Sequence, residues 1–109
     1  MRGCKLDGTK IAERGFGYTM RILSGKYKLI ILYWLEEYKV MRYSEIKKTL
    51  GNITHKMLSD TLKEMETDDL ILRTQYPQMP PKVEYSLSDK GKSLIPIIDA
   101  MCEWGEKHK

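Results

Sequence analysis

Two short amphipathic helical patterns meet between Tyr43 and Asp68 with only Gly51-Asn52-Ile53-Thr54 between them. In the first, Tyr43–Leu50, Ile46 and Leu50 lie four residues apart and share a face. In the second, His55–Asp68, Leu58, Leu62 and Met65 fall on one side. Gly51-Asn52 is the punctuation that ends a helix, and the Thr54 hydroxyl can accept from the free amides that open the next. A link this short cannot let the helices separate, so they must pack across each other at a steep angle, which is helix-turn-helix spacing. At about 100° per residue, the side of the second helix opposite Leu58 carries Lys56, Asp60 and Lys63, with Ser59 at its edge. That side is polar and faces outward.

The flanking patterns complete an architecture. Lys26–Glu37, after Gly25, has apolar residues at Leu29, Ile30, Leu32, Tyr33 and Trp34, and a helix apolar nearly all round belongs at the centre of a small core. Downstream, Leu70–Tyr76 is rich in β-compatible residues. In Lys82–Leu87, Val83, Tyr85 and Leu87 alternate with Lys82, Glu84 and Ser86. Between them Pro77-Gln78-Met79-Pro80-Pro81 makes a stiff, protruding tip, because proline neither donates to a ladder nor extends a strand. Ser88 can cap a last helix whose apolar positions are Leu94, Ile97, Ile98, Met101 and Trp104, with Pro96 expected to kink it or shift its start. Residues 1–17, with four glycines among charges, read as an N-terminal arm, partly helical from Thr9 onward. Residues 18–109 read as one mostly α domain with a β-hairpin wing, an α+β winged helix-turn-helix.

Charge and cysteine content narrow the function classes. A formal net charge of +4 and a pI near 9.0 make nucleic acid a plausible partner without selecting it. Residues 1–50 hold eleven Lys/Arg against five Asp/Glu, whereas residues 51–87 hold four against six, so the basic excess is local. Leu29–Leu35, the longest apolar run, has seven residues, far below the roughly 20 a membrane helix needs. No secretory signal pattern opens the chain, and a cytoplasmic location is expected. Cys4 and Cys102 form neither a metal-ligand spacing nor a disulfide framework. Their plain reading is a tail residue and a small hydrophobe, the alternative a redox or alkylation role. No motif calls for a cofactor.

Several segments together resemble the HxlR-type transcriptional regulators of bacteria, a group related to MarR. Ser24-Gly25-Lys26-Tyr27 is similar to their Gly-Gly-Lys-Trp signature, and Arg42-Tyr43-Ser44-Glu45-Ile46 to their Arg-Phe-Ser-Glu-Leu element. Ile53–Leu58 and Leu62–Glu66 are similar to their recognition-helix segment, Tyr76–Leu87 to their wing, and Cys102-Glu103-Trp104-Gly105 to their closing motif. The resemblance spans residues 17–107. It implies a homodimeric regulator, most often a repressor, joined through its terminal helices, with duplex DNA as partner and a pseudo-palindromic operator. Many members carry a cysteine about thirteen residues before the signature aromatic. In this chain that position is Arg14, and Cys4 lies ten residues earlier.

In such a fold the second helix, residues 54–67 here, enters the major groove with its first turns toward the bases. Thr54, His55, Lys56, Ser59 and Lys63 are therefore the candidate reading residues. The wing, residues 76–82, would lie on the backbone or in the minor groove and bring Gln78 and Lys82, with Arg73 at its base. Lys26, Lys28, Lys47 and Lys48 would add phosphate contacts. Tyr18, Met20, Leu94, Ile98, Met101 and Trp104 are the candidate dimer interface, the final helix carrying more apolar surface than a core this small needs. A small-molecule or electrophile effector could sit there, or Cys4 or Cys102 could act as a thiol switch. An enzyme would need a nucleophile with its base, a metal cluster or a phosphate loop, and two scattered histidines supply none. The remaining alternative, a winged helix that binds only proteins, would favour an apolar or acidic outer helix face instead of Lys56 and Lys63.

Overall fold

A computed structural model describes residues 15–109. The elements are α1 (Gly15–Leu23), α2 (Lys28–Tyr38), β1 (Met41–Arg42), α3 (Tyr43–Leu50), α4 (His55–Thr67), β2 (Ile71–Tyr76), β3 (Lys82–Leu87) and α5 (Asp89–His108). Most of the expected arm, Cys4 and Arg14 included, lies outside the described residues, and positions 15–17 open α1. The order is that of a winged helix. Its core is built from Leu32 of α2, Ile46 of α3, Leu58, Leu62 and Met65 of α4, and Leu70 and Ile71 at the foot of the wing, all essentially inaccessible.

The helix-turn-helix has the expected stop at Gly51. Gly51 ends α3 at φ +81°, a backbone conformation that glycine adopts without a Cβ clash, and its N–H donates to the Lys47 carbonyl at 3.0 Å. Ile53, buried in the turn, anchors the connection from below. At the other end of α3, the Arg42 N–H donates to Glu45 Oε1 at 2.7 Å, half of a capping box.

The hairpin pairs β2 with β3 antiparallel, from Ile71 opposite Leu87 to Tyr76 opposite Lys82. A third strand, β1, lies along the other edge of β3, with Met41 opposite Tyr85 and Arg42 opposite Glu84. It is absent from the sequence reading because two residues cannot display a period of two.

Two further differences have physical causes. Helix α2 is not buried all round: Ile31, Leu32 and Leu35 face the core, but Ile30 and Tyr33 are more than 40% exposed. Helix α5 runs through Pro96 and starts at Asp89, so proline does not shift its start. Ser88 fixes that start twice over, since its Oγ accepts from the Gly91 N–H at 3.0 Å and donates to the Asp69 carbonyl. Proline then removes only the one helical bond to the Lys92 carbonyl.

Candidate nucleic-acid interface

Helix α4 begins at a cap that the sequence specifies. Thr54 is extended, and its Oγ1 accepts from the Met57 N–H at 3.1 Å. With Leu58, Leu62 and Met65 turned into the core, His55, Lys56, Ser59 and Lys63 all stand on the exposed side. The first turn holds no acidic residue, so the free amides there favour an approaching anion.

Three residues of this region are joined by a hydrogen-bond cluster. The Tyr43 hydroxyl, at the start of α3, lies 3.1 Å from His55 Nδ1 and 3.3 Å from Ser59 Oγ. It is also 3.3 Å from the His55 carbonyl oxygen. The Tyr43 and His55 rings are nearly parallel, 5° apart, with centroids 6.0 Å apart. Sequence reasoning missed Tyr43 because it precedes His55 by twelve residues, and only the crossing of α3 over α4 brings the two together.

Lys56 extends from the outer face to Asp60, one turn on, with Nζ and Oδ2 2.9 Å apart. That carboxylate, as hydrogen-bond partner and as opposite charge, holds the Lys56 ammonium above the ordinary lysine value. Both side chains are largely in solvent, where such a pair contributes little and is readily exchanged for another anion. Asp60 is exposed beside Lys56, Glu64 is half-exposed with its carboxylate on Lys28, and Glu66 lines the groove toward the wing.

A concavity of about 490 Å³ opens between α4 and the wing, lined by Tyr43, Ser59, Lys63, Glu66, Arg73 and the β3 residues Val83 and Tyr85. Two cations, Lys63 and Arg73, thus flank a groove that runs from the helix to the hairpin. Arg73 Nη1 donates to Gln75 Oε1 at 3.4 Å, which aligns it along the exposed side of β2. On β3, Lys82 lies 3.5 Å from Glu84 and holds its ammonium 4.7 Å from the centre of the Tyr76 ring. The same Glu84 carboxylate raises the Tyr76 phenol above its ordinary value. Gln78 and Met79 occupy the tip, and Met79 is 94% exposed.

Among the outlying lysines, Lys26 is exposed beside the Tyr27 ring, Lys48 is exposed and Lys47 is half-buried. Lys28 is a correction. Expected to contact phosphate, it is instead buried, with Nζ 2.6 Å from Glu64 Oε2. It ties α2 to α4 from inside. Lys28 stands three, four and seven residues before Ile31, Leu32 and Leu35 and so shares the buried face of α2 with them.

The exposed faces of α1 and α5 carry large apolar side chains. Tyr18, Met20, Met101 and Trp104 are all about half exposed or more, and Ile97 joins them. Leu94 is half-buried and Ile98 buried within the chain's own core. Cys102, exposed on α5, borders an apolar hollow of about 390 Å³ with Leu29, Ile30, Tyr33, Trp34 and Ile98. Among the described residues no helix is long and apolar enough to cross a membrane, and no cluster of His, Cys, Asp or Glu could hold a metal ion.

A helix-turn-helix with a lysine-bearing outer helix, a hairpin wing beside it and a cationic groove between them defines a transcriptional regulator of the winged helix-turn-helix class. Comparison with known proteins places it more narrowly: the chain belongs to the HxlR-like helix-turn-helix family, which it matches over residues 22–109. An uncharacterized HTH-type transcriptional regulator of Halalkalibacterium halodurans is 50% identical over 99 residues, covering 91% of this chain and 88% of that one. YdzF of Bacillus subtilis, another HTH-type regulator, is 56% identical over 90 residues, 83% of each chain. Among solved structures, the redox regulator HypR in its oxidized form superposes with a TM-score of 0.77 at 39% identity, covering 85% of this chain and 95% of that one. The regulator ytcD superposes with a TM-score of 0.79 at 44% identity, covering 84% and 93%. These relatives are regulators of the helix-turn-helix type or of redox response.

Proposed function

We propose that this protein is a homodimeric repressor that inserts α4 into the major groove of a pseudo-palindromic duplex operator and lays its wing on the adjoining backbone or minor groove. The observation that carries this is the exposed face of α4 with His55, Lys56, Ser59 and Lys63, beside a groove that Lys63, Glu66 and Arg73 line toward the wing. Its shape suits a helix in the groove and a hairpin astride the phosphates. Lys56 exchanges its solvent-exposed partner Asp60 for guanine O6/N7 or a phosphate. Thr54 keeps the helix start open to a backbone phosphate, while Gln78 and Lys82 on the wing, with Lys26 and Lys47, add further backbone contacts. The half-exposed Tyr18, Met20, Met101 and Trp104, with Leu94 beside them, supply the surface that a second copy covers. Ile98 supports that surface from within. The work is done in the cytoplasm, where the chromosome is.

An effector, a small apolar or electrophilic compound, has a natural seat at the apolar hollow beside Cys102. A thiol signal through Cys102 or Cys4 is the alternative input, in keeping with relatives described as redox regulators.

The test is a fluorescence-anisotropy titration against the intergenic DNA upstream of the protein's own gene, at two salt concentrations, with and without a thiol oxidant. Binding should weaken steeply with salt, and Lys56→Ala should weaken it roughly 5- to 50-fold, as expected for a lost base or phosphate contact. Binding no tighter than to a random duplex, and insensitive to salt, would refute the proposal.

A further inference from the structure

We propose that Tyr43 is a specificity-determining positioning residue: its hydroxyl sets the hydrogen-bonding polarity with which His55 and Ser59 meet the base edges. The inference rests on the DNA-reading role of α4 proposed above. A phenol has one proton to donate and lone pairs to receive, and a neutral imidazole has one donor nitrogen and one acceptor. The shortest of the three contacts at Tyr43 Oη is to His55 Nδ1, at 3.1 Å. The His55 carbonyl oxygen, 3.3 Å away, can only accept and competes for the phenol proton, but the imidazole nitrogen is nearer and the stronger acceptor, so that proton goes to Nδ1. The proton of His55 then sits on Nε2. With its own proton committed, the phenolic oxygen receives the hydroxyl proton of Ser59, 3.3 Å away.

The outcome is a chain running from the Ser59 hydroxyl through the Tyr43 hydroxyl to His55 Nδ1. It leaves two complementary groups for DNA on one side of α4, a donor at His55 Nε2 and an acceptor at Ser59 Oγ. A donor finds purine N7, guanine O6 or thymine O4, and an acceptor finds the exocyclic amines of adenine or cytosine. Without Tyr43 each group could present either polarity and would discriminate less. The ring packs against the core, and Tyr43→Phe retains that packing while deleting only the hydroxyl.

Two measurements on the full-length chain test this. The first reads the His55 tautomer by long-range proton–nitrogen correlation on labelled protein at pH 8, with His108→Gln to assign the other histidine. The Nε2–H form should dominate in the wild type, and Tyr43→Phe should give a mixture. A dominant Nδ1–H form, or a ratio unchanged by Tyr43→Phe, would overturn the assigned polarity.

The second selects duplexes from a randomised 30-base-pair pool with the wild type, then compares the preferred duplex with a random one by competition anisotropy. Tyr43→Phe should reduce the preference on the order of ten-fold, leaving random-duplex affinity and salt slope within about two-fold, as they depend on phosphate contacts. Retention of the wild-type preference, or equal loss on both duplexes, would overturn the specificity role. A wild type with no preference at all would defeat the DNA-reading proposal itself, and the tautomer measurement would still decide the polarity of the cluster.

Discussion

Two glycines in α5 should respond to alanine with opposite signs. Helix propensity alone favours both substitutions, by up to about 1 kcal/mol in a helix interior. At Gly105 nothing within the protomer lies within 4 Å of the new methyl, so Gly105→Ala should gain a few tenths to about 1 kcal/mol. At Gly91 the methyl would lie 2.1 Å from the Leu70 carbonyl oxygen and 3.2 Å from Leu87 Cδ2. Close C···O contacts settle at about 3.3 Å, so the first turn of α5 must retreat by about 1 Å. The same Leu70 oxygen accepts the Ser88 N–H at 3.1 Å, and a retreat of that size breaks the bond. Overpacking of this kind costs about 1–3 kcal/mol and the lost hydrogen bond about 1 kcal/mol. Net of propensity, Gly91→Ala should destabilise by about 1–3 kcal/mol. For a domain of this size that is a fall in Tm of roughly 5–20 °C. Thermal unfolding followed by circular dichroism, at one fixed protein concentration, measures both variants. A Gly91→Ala protein as stable as the wild type would refute the close packing of α5 on the foot of the wing.

Glu64→Ala should destabilise more than Lys28→Met, by about 2 kcal/mol or more in chemical denaturation. The first strands a buried ammonium, whereas the second leaves a carboxylate that is already half in water; equal losses would contradict this. Thr54→Ala should lose about 1 kcal/mol with the Met57 N–H uncapped, and Thr54→Ser should recover most of it. Trp104→Glu should shift sedimentation from dimer to monomer and weaken operator binding, and an unchanged dimer would place the interface elsewhere.

Features set by local chemistry were legible in the sequence. The Gly51 stop, the Thr54 and Ser88 caps, the alternation along β3 and the proline-rich tip each depend on residues near one another, and the structure has all of them. The winged-helix order follows from them. What depended on distant residues was not legible. Met41-Arg42 forms a strand only because β3 offers a free edge. Ile98 serves the protomer core, yet its neighbour Ile97 faces out, and that choice turns on how α5 lies against α2. Lys28 shares the face of Ile31, Leu32 and Leu35, but its partner there, Glu64, is thirty-six residues away and is supplied only by the packing of α2 on α4. Tyr43 meets His55 and Ser59 only where α3 crosses α4. Hydrophobic period and capping act over a few residues and can be read in one dimension. A buried ion pair or a hydroxyl bridge requires two helices at a definite angle, and that angle is decided by the packing of the whole core.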